Sequence, residues 1–258
     1  MFKVDLLKQV RISSNDLRNE DPVNQFVFRE MVSVKKILGY VNQSIQSIVK
    51  VLQGTEMLTP KIESEATALL KAEVPQSWEK QWEGPETPTA WLRVLCKKGV
   101  AMVGWVQRAQ QNQLLSQPVS LSDLLHPETF LNAFRQKSAR TLSIAIDELK
   151  LVSSFDQSRM NTKVAMQVEG LWLQGCAFQG SRLTDIQGQA NEIASLPTCH
   201  LAWISMNDAD PYPSGVVDTP LYHNMDREKL LCTLKIFNQG EAQQRIISGV
   251  AMFLNGSE

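Results

Sequence analysis

The sequence predicts an α+β fold in which a helical bundle comes first and a small antiparallel β-barrel follows. Three observations predict it. Apolar residues recur every three or four positions through the first part of the chain, and proline-marked start signals precede those runs. After about residue 160 the apolar period becomes two. Turn-prone "QGSR", "NDADPYPSG" and "NQGEAQ" separate or bound the later runs, which favours an antiparallel sheet or small barrel over parallel βαβ units.

The elements follow in order. Residues 21–53 place Val23, Phe26, Val27, Met31, Val34, Leu38, Val41, Ile45, Ile48 and Leu52 at helical spacing, predicting one long amphipathic helix. Asp21 suits the orphan amides of its first turn, Pro22 its first position and Gly54 the left-handed residue that closes it. Thr59 with Pro60 repeats the start signal for a shorter helix, and Thr87 with Pro88 for a helix over 88–113. Between these two, "PQSWEKQWEGPETP" carries Pro75, Gly84, Pro85 and Pro88 and reads as an irregular connection. His126, Pro127 and Glu128 open another helix, with Leu131, Phe134, Leu142, Ala145 and Leu149 on one stripe. Arg135, Gln136, Lys137, Arg140 and Asp147 fall mostly off that stripe and read as a solvated face. Val164, Met166, Val168 and Trp172 then alternate with Ala165, Gln167 and Glu169, and "TCHLAWISM", "LLCTLKIF" and "IISGVAMFL" read as further strands.

Composition limits function. The 258 residues are 43% apolar, enough for a sizeable core, and their formal net charge of -1 supplies no general attraction to nucleic acid or acidic membranes. The apolar stretches after Met1 are too short for a signal peptide, and no segment approaches a membrane span, so a soluble intracellular chain is expected. Cys96, Cys176, Cys199 and Cys232 show no paired spacing and read as free thiols in a reducing compartment.

Motifs for chemistry are missing. No G-x-x-x-x-G-K-[ST] occurs, and "CKKGVAMVGW" lacks the glycine nest that cradles phosphates. Neither C-x-x-C nor H-E-x-x-H is present, and adjacent Cys199 and His200 point to opposite faces of a strand, so no metal site is expected. Asp208, Asp210 and Asp218 suggest a calcium loop, but Pro211 and Pro213 stand where such a loop needs ligands and its glycine, and a turn explains the segment better. His126, His200 and His223 are the histidines available to a nucleophile, and no G-x-S-x-G elbow accompanies them. Catalytic, cofactor-binding and metal-ligating residues are therefore expected to be absent. A self-sufficient α+β hydrolase or ligand-binding module is the alternative, with Cys199, His200 and His223 as its first candidates. The six tryptophans read as core and docking residues.

The succession "VPQSWEKQW", "PTAWLRVL", "GW", "HPETFLNAFRQKSAR" followed by "IDELKLV", "VEGLWLQGCAF", "PLY" and "ISGVAMFL" resembles, in order, the C-terminal region of a dynein heavy chain. The form "HPETFLNAFRQ" is closer to the cytoplasmic dynein 2 class of cilia than to axonemal dyneins. The resemblance implies that residues 1–80 are helices closing the sixth AAA+ module of the motor ring, 81–160 the helical part of the C-terminal domain and 161–258 its β-barrel part. It implies a structural and regulatory role in an ATP-driven, minus-end-directed motor for retrograde intraflagellar transport. The ATP and magnesium sites would lie in earlier modules, so no catalytic residue carries over to this chain. The implied partners are the AAA+ ring of the same heavy chain, dynein 2 intermediate and light chains, and microtubules, without nucleic acid or membrane insertion. The implied location is cytoplasm, cytoskeleton and cilium. The long helix of residues 21–53 needs a cover, and an exposed apolar patch on the helices of residues 21–113 is expected where a larger body docks.

Overall fold

The computed structural model describes residues 10–160, 162–184, 193–212 and 214–254. The first nine residues, on which the signal-peptide reading rests, and Pro213 of the calcium-loop argument lie outside them. The described part is mixed α+β, with seven α-helices and three sheets. It divides into two compact units. One holds the described residues through Glu20, Asn24–Asn112 and Asp123–Leu125; the other holds Asp21–Val23, Gln113–Ser122 and the described residues from His126 onward.

The first unit is helical. A single turn, α1 (Ser14–Leu17), carries a capping box in which Ser13 Oγ accepts from Asp16 N–H and Asp16 accepts from Ser13 N–H. The long helix α2 (Pro22–Leu52) starts where the sequence places it, with Asp21 Oδ1 accepting the Val23 amide at 2.9 Å. It ends at Gly54, φ +73°, with Thr55 N–H donating to Lys50 O. Thr59 caps α3 (Pro60–Leu70) through the Ile62 amide, and Thr87 caps α5 (Pro88–Gln110) through that of Ala90.

The apolar stripe of α2 differs from the reading in two ways. Val23 through Val41 bury as expected, joined by Phe28 and Ile37, but Ile45 and Ile48 are half-covered and Leu52 is 82% exposed. The first half of the helix is packed on more than one face, and the last two turns emerge from the core. The expected irregular connection also contains structure: α4 (Gln76–Glu79) uses Pro75 as its N-cap residue and drives Trp78 into the core. Proline costs nothing there because first-turn amides have no helical acceptor. Trp78 and Trp82 both stack at a tilt on Trp91, with ring centroids 5.6 and 5.4 Å away. Aromatic burial of this size dominates local packing.

In the second unit α6 (Pro127–Leu142) begins at His126 as read but stops short. Ser143 takes the left-handed conformation at φ +55°, and Ile144 N–H reaches back to Ala139 O, so Ala145 and Leu149 leave the stripe. Leu149 instead opens β2 (Leu149–Ser154), so strand structure begins before residue 160.

The first sheet orders its strands β1 (Val119–Ser120), β3 (Ala165–Glu169), β8 (Cys199–Ser205), β2. The second runs β10 (Leu230–Phe237), β9 (Val216–Tyr222), β11 (Ala251–Phe253), β4 (Trp172–Gln174), β7 (Ile193–Ser195). β5 (Ala177–Gln179) and β6 (Arg182–Thr184) form a separate hairpin. Most ladders are antiparallel, but β1–β3 and β9–β11 are parallel, each joined through a connection that contains a helix. Among the described residues the pairings form open ladders and no closed ring.

Two strand readings change. Met166 and Val168 point inward as predicted, but Gly170 at φ +74° shifts the phase, so Leu171 and Leu173 bury and Trp172 does not. The run "IISGVAMFL" is not one strand: Ile246 and Ile247 end α7 (Ala242–Ile247), Gly249 turns the backbone at φ +62°, and only Ala251–Phe253 pairs.

Candidate functional site

The nucleophile candidates sit on strands or beside them. Cys199 opens β8 fully buried, and burial pushes its thiol far above the ordinary range, with Cys232 adding to the effect. Burial likewise pushes the Cys232 thiol up to about 12. A nucleophilic cysteine needs the opposite shift. His200, the next residue, is buried on the other face, and desolvation lowers its pKa against the opposing pull of Asp156. His223 follows β9 and donates its backbone amide to Lys229 O at 3.0 Å, at the base of the turn into β10. His126 is the N-cap residue of α6. The fold thus spreads the histidines over a helix start, a strand and a turn.

The acidic loop is also committed. Asp210 pairs with Lys150 at 2.8 Å and with Lys235 at 3.5 Å, and the hydrogen bond from Lys150 foremost holds its carboxyl below the usual range. Asp208 accepts the Ser205 amide, and Asp218 lies opposite Lys235 in the β9–β10 ladder. Two lysines on the central carboxylate oppose a cation there. The stretch "CKKGVAMVGW" lies wholly within α5, so its glycines are helical and form no phosphate nest. Lys98 in that stretch is buried and donates to Leu124 O at 2.7 Å.

The charged face of α6 is less solvated than its pattern suggests. Arg135 is half-buried, donates to Ile146 O at 2.6 Å and lies 4.9 Å over the Trp203 ring. Lys137 forms an ion pair with Asp21, and Glu128 lies 3.5 Å from Lys229. Hydrophobic periodicity sees only which positions are apolar and misses a cation that lies on an aromatic ring.

Two polar clusters in the helical unit escaped the sequence reading. Glu30 and Lys98 are both almost fully buried, and with Trp105 they hold Asp123–Leu125: Glu30 Oε1 accepts from Leu125 N–H and Trp105 Nε1 donates to Asp123 Oδ2. Elsewhere buried Glu65 accepts from Ser44 Oγ and Ser77 Oγ, each at 2.6 Å, while Trp78 Nε1 donates to Ser44 Oγ at 3.1 Å. A signal for the first was present. Glu30 stands at helical spacing between Val27 and Val34, and Lys98 between Leu95 and Met102.

What remains is a set of exposed apolar side chains in the helical unit. Leu52, Met57 at 85% and Leu70 at 89% exposure, with Leu58, occupy the end of α2, the connection after it and the last residue of α3. Covering side chains of this kind is worth about 1.5–3 kcal/mol each, which suits a docking role.

Comparison with known proteins places the chain in a family. The profile of the C-terminal domain of dynein heavy chains matches residues 3–254. The chain is 35% identical over 236 residues to the cytoplasmic dynein 2 heavy chain 1 of Tripneustes gratilla, covering 91% of this chain and 6% of that protein. It is 34% identical over 251 residues to the protein of the same name from Homo sapiens, covering 97% of this chain and 6% of that one. A cytoplasmic dynein heavy chain of Drosophila melanogaster is 27% identical over 252 residues, covering 90% of this chain and 5% of that protein. The chain therefore spans about 6% of the length of these two dynein 2 relatives.

Proposed function

Since this chain belongs to the family defined by the C-terminal domain of dynein heavy chains, we propose that it serves as the C-terminal part of a heavy chain of the cytoplasmic dynein 2 class, with a structural and regulatory role in an ATP-driven, minus-end-directed microtubule motor for retrograde intraflagellar transport. The observation that carries the reading is the match of nearly the whole chain at about a third identity to proteins named cytoplasmic dynein 2 heavy chain 1. On this reading residues 1–80 close the sixth AAA+ module and the remainder is the C-terminal domain. ATP and magnesium bind elsewhere in the heavy chain, and the partners are the ring, the dynein 2 intermediate and light chains and the microtubule, in cytoplasm and cilium. The strands of the second unit close as a small barrel. The bond from Ser153 Oγ on β2 to Lys235 O on β10, 2.7 Å, supports that closure because it joins edge strands of the two large sheets.

A domain of this kind acts by adding contacts that favour one ring conformation, and its leverage is limited to the difference in contact energy between states. The exposed leucines and methionine of the helical unit suit such contacts. Nothing about Cys199, His200 and His223 favours the hydrolase alternative. The test is the native mass in cell extract, read with an antibody against residues 126–150. A band of several hundred kilodaltons that binds microtubules and is released by ATP is expected. A band near 29 kDa alone overturns the reading.

A further inference from the structure

Three threonines precede a proline, Thr59, Thr87 and Thr219, and no serine does. Thr219 is fully buried in β9, donates its hydroxyl to Val217 O and pairs with Leu234 of β10, so no enzyme reaches it in the folded chain. Thr59 and Thr87 are exposed, and each holds extended backbone before a helix, with φ −106° and −97°. Both cap that helix by accepting one amide, from Ile62 and from Ala90, which is the ordinary structural role of a threonine before a proline.

What separates Thr87 is the segment that leads to it. Pro85 stands two residues before it, whereas Met57 holds that place for Thr59 and Val217 for Thr219. In Gly84-Pro85-Glu86-Thr87-Pro88 both prolines have a fixed φ and both residues before them are driven to extended backbone. An enzyme that binds its substrate extended therefore has less chain entropy to remove here than at Thr59. The two ends are anchored. Trp82 and Trp91 are buried, Trp91 Nε1 donates to Trp82 O at 3.3 Å, and Trp91 N–H donates to Thr87 O at 2.8 Å. Their rings lie so close to Gly84 that a Cβ there would meet them at 2.5 and 2.8 Å. Between these anchors Glu83, Gly84, Glu86 and Thr87 are exposed and Pro85 is half-buried. The electrostatic surroundings differ as well. Glu86 adjoins Thr87 outside the helix, but the first turn of α5 holds no acidic residue, while that of α3 holds Glu63.

We propose that Thr87 is the phosphate acceptor of a proline-directed protein kinase. Thr87 Oγ1 forms a bond to the γ-phosphorus of a magnesium-bound ATP held by that kinase. The bond from this phosphorus to the β,γ-bridging oxygen breaks, ADP leaves, and the hydroxyl proton passes to the kinase's catalytic carboxylate. Pro88 removes a backbone donor next to the acceptor, so an enzyme built around that missing amide selects this site, and Pro85 narrows the choice further. The product keeps the cap, because phosphate oxygens accept the Ala90 amide as the hydroxyl did, and it places about two negative charges at the positive end of α5. The modification thus marks the connection between α4 and α5 without unfolding it. It stands independently of the motor assignment.

The test treats the folded 258-residue chain with a purified proline-directed kinase and magnesium ATP, and reads site and rate by tandem mass spectrometry. One phosphate on Thr87 is expected, added at least about tenfold faster than on Thr59, with Thr219 unmodified. Thr87→Ala should abolish it, and Pro85→Ala, which leaves the cap in place, should slow it several-fold. The phosphorylated chain is expected to melt about 1–4 °C higher than the unmodified one. Equal rates at Thr59 and Thr87, or a rate that Pro85→Ala does not change, overturn the proposal. So does modification of a free peptide of residues 80–95 without modification of the folded chain. A fall in melting temperature overturns the retained cap.

Discussion

Glu30 accepts the backbone amide of Leu125, 95 residues further along, at 2.7 Å, while Lys98 Nζ donates to the adjacent Leu124 carbonyl at the same distance. Two buried side chains of opposite charge, on α2 and α5, thus grip one short stretch of backbone by its donor and its acceptor. The grip predicts a graded loss. Glu30→Leu leaves the Leu125 amide unpaired and is expected to cost about 2–4 kcal/mol in urea unfolding, whereas Glu30→Gln keeps an acceptor and costs roughly half as much. Equal costs for the two substitutions count against the hydrogen bond as the source.

Trp78 is fully buried and tied to the Ser44–Glu65–Ser77 network. Trp78→Ala is expected to lose about 3–5 kcal/mol, since it opens a cavity and removes the indole donor together. Ser77→Ala strips one of two donors from a carboxylate and is expected to cost about 1–2 kcal/mol. Chemical denaturation checks both.

Gly175 and Gly180 both have positive φ, +89° and +65°. A Cβ on Gly175 would come within 2.8 Å of the Ser248 carbonyl, while nothing lies within 4 Å of one on Gly180. Gly180→Ala therefore incurs only the left-handed backbone strain, about 1 kcal/mol, and Gly175→Ala costs more than that because backbone must move. Thermal melts of the two variants, compared side by side, test the order.

His200 is held neutral by burial, so its folded pKa lies below the ordinary histidine value of 6.5. The unfolded chain binds a proton at about pH 6.5 and the folded chain only below that. Stability is thus expected to be full above about pH 6.5 and to fall as pH drops from there through the lowered folded value. His200→Gln should flatten that slope, read as the urea midpoint at successive pH values.

Cys199 has its thiol buried and its ionisation suppressed. Native protein treated with iodoacetamide is expected to label Cys199 at least about a hundredfold more slowly than urea-unfolded protein. Fast native labelling at this position would reopen the hydrolase reading.

The helix starts were legible because they are chemistry in one place: Asp21–Pro22, Thr59–Pro60 and Thr87–Pro88 each carry a side-chain acceptor and a residue with no amide to satisfy. Helix ends were less legible. Nothing local announces that Ser143 will turn left-handed, because the turn is favoured by what the following strand gains. The misread phase at Trp172 has the same origin, since a single positive φ at Gly170 re-aims the side chains of the strand that follows it. Residues that hold the fold by polar contacts, Glu30, Lys98 and Arg135, look like ordinary surface charges until their partners arrive from distant segments. Family resemblance, carried by short motifs in order, was readable without any of these details.

Backbone ownership alternates along the polypeptide: Asp21–Val23 belong to the second unit, Asn24–Asn112 to the first, Gln113–Ser122 to the second, Asp123–Leu125 to the first again. A gene fusion, splice junction or protease that parts the polypeptide anywhere between residues 24 and 125 would strand a piece of one unit on the wrong product. Expression of the chain cut within that stretch is therefore expected to give two products, each missing part of a unit, and an uncut span that includes both interleavings is needed for either unit to be whole.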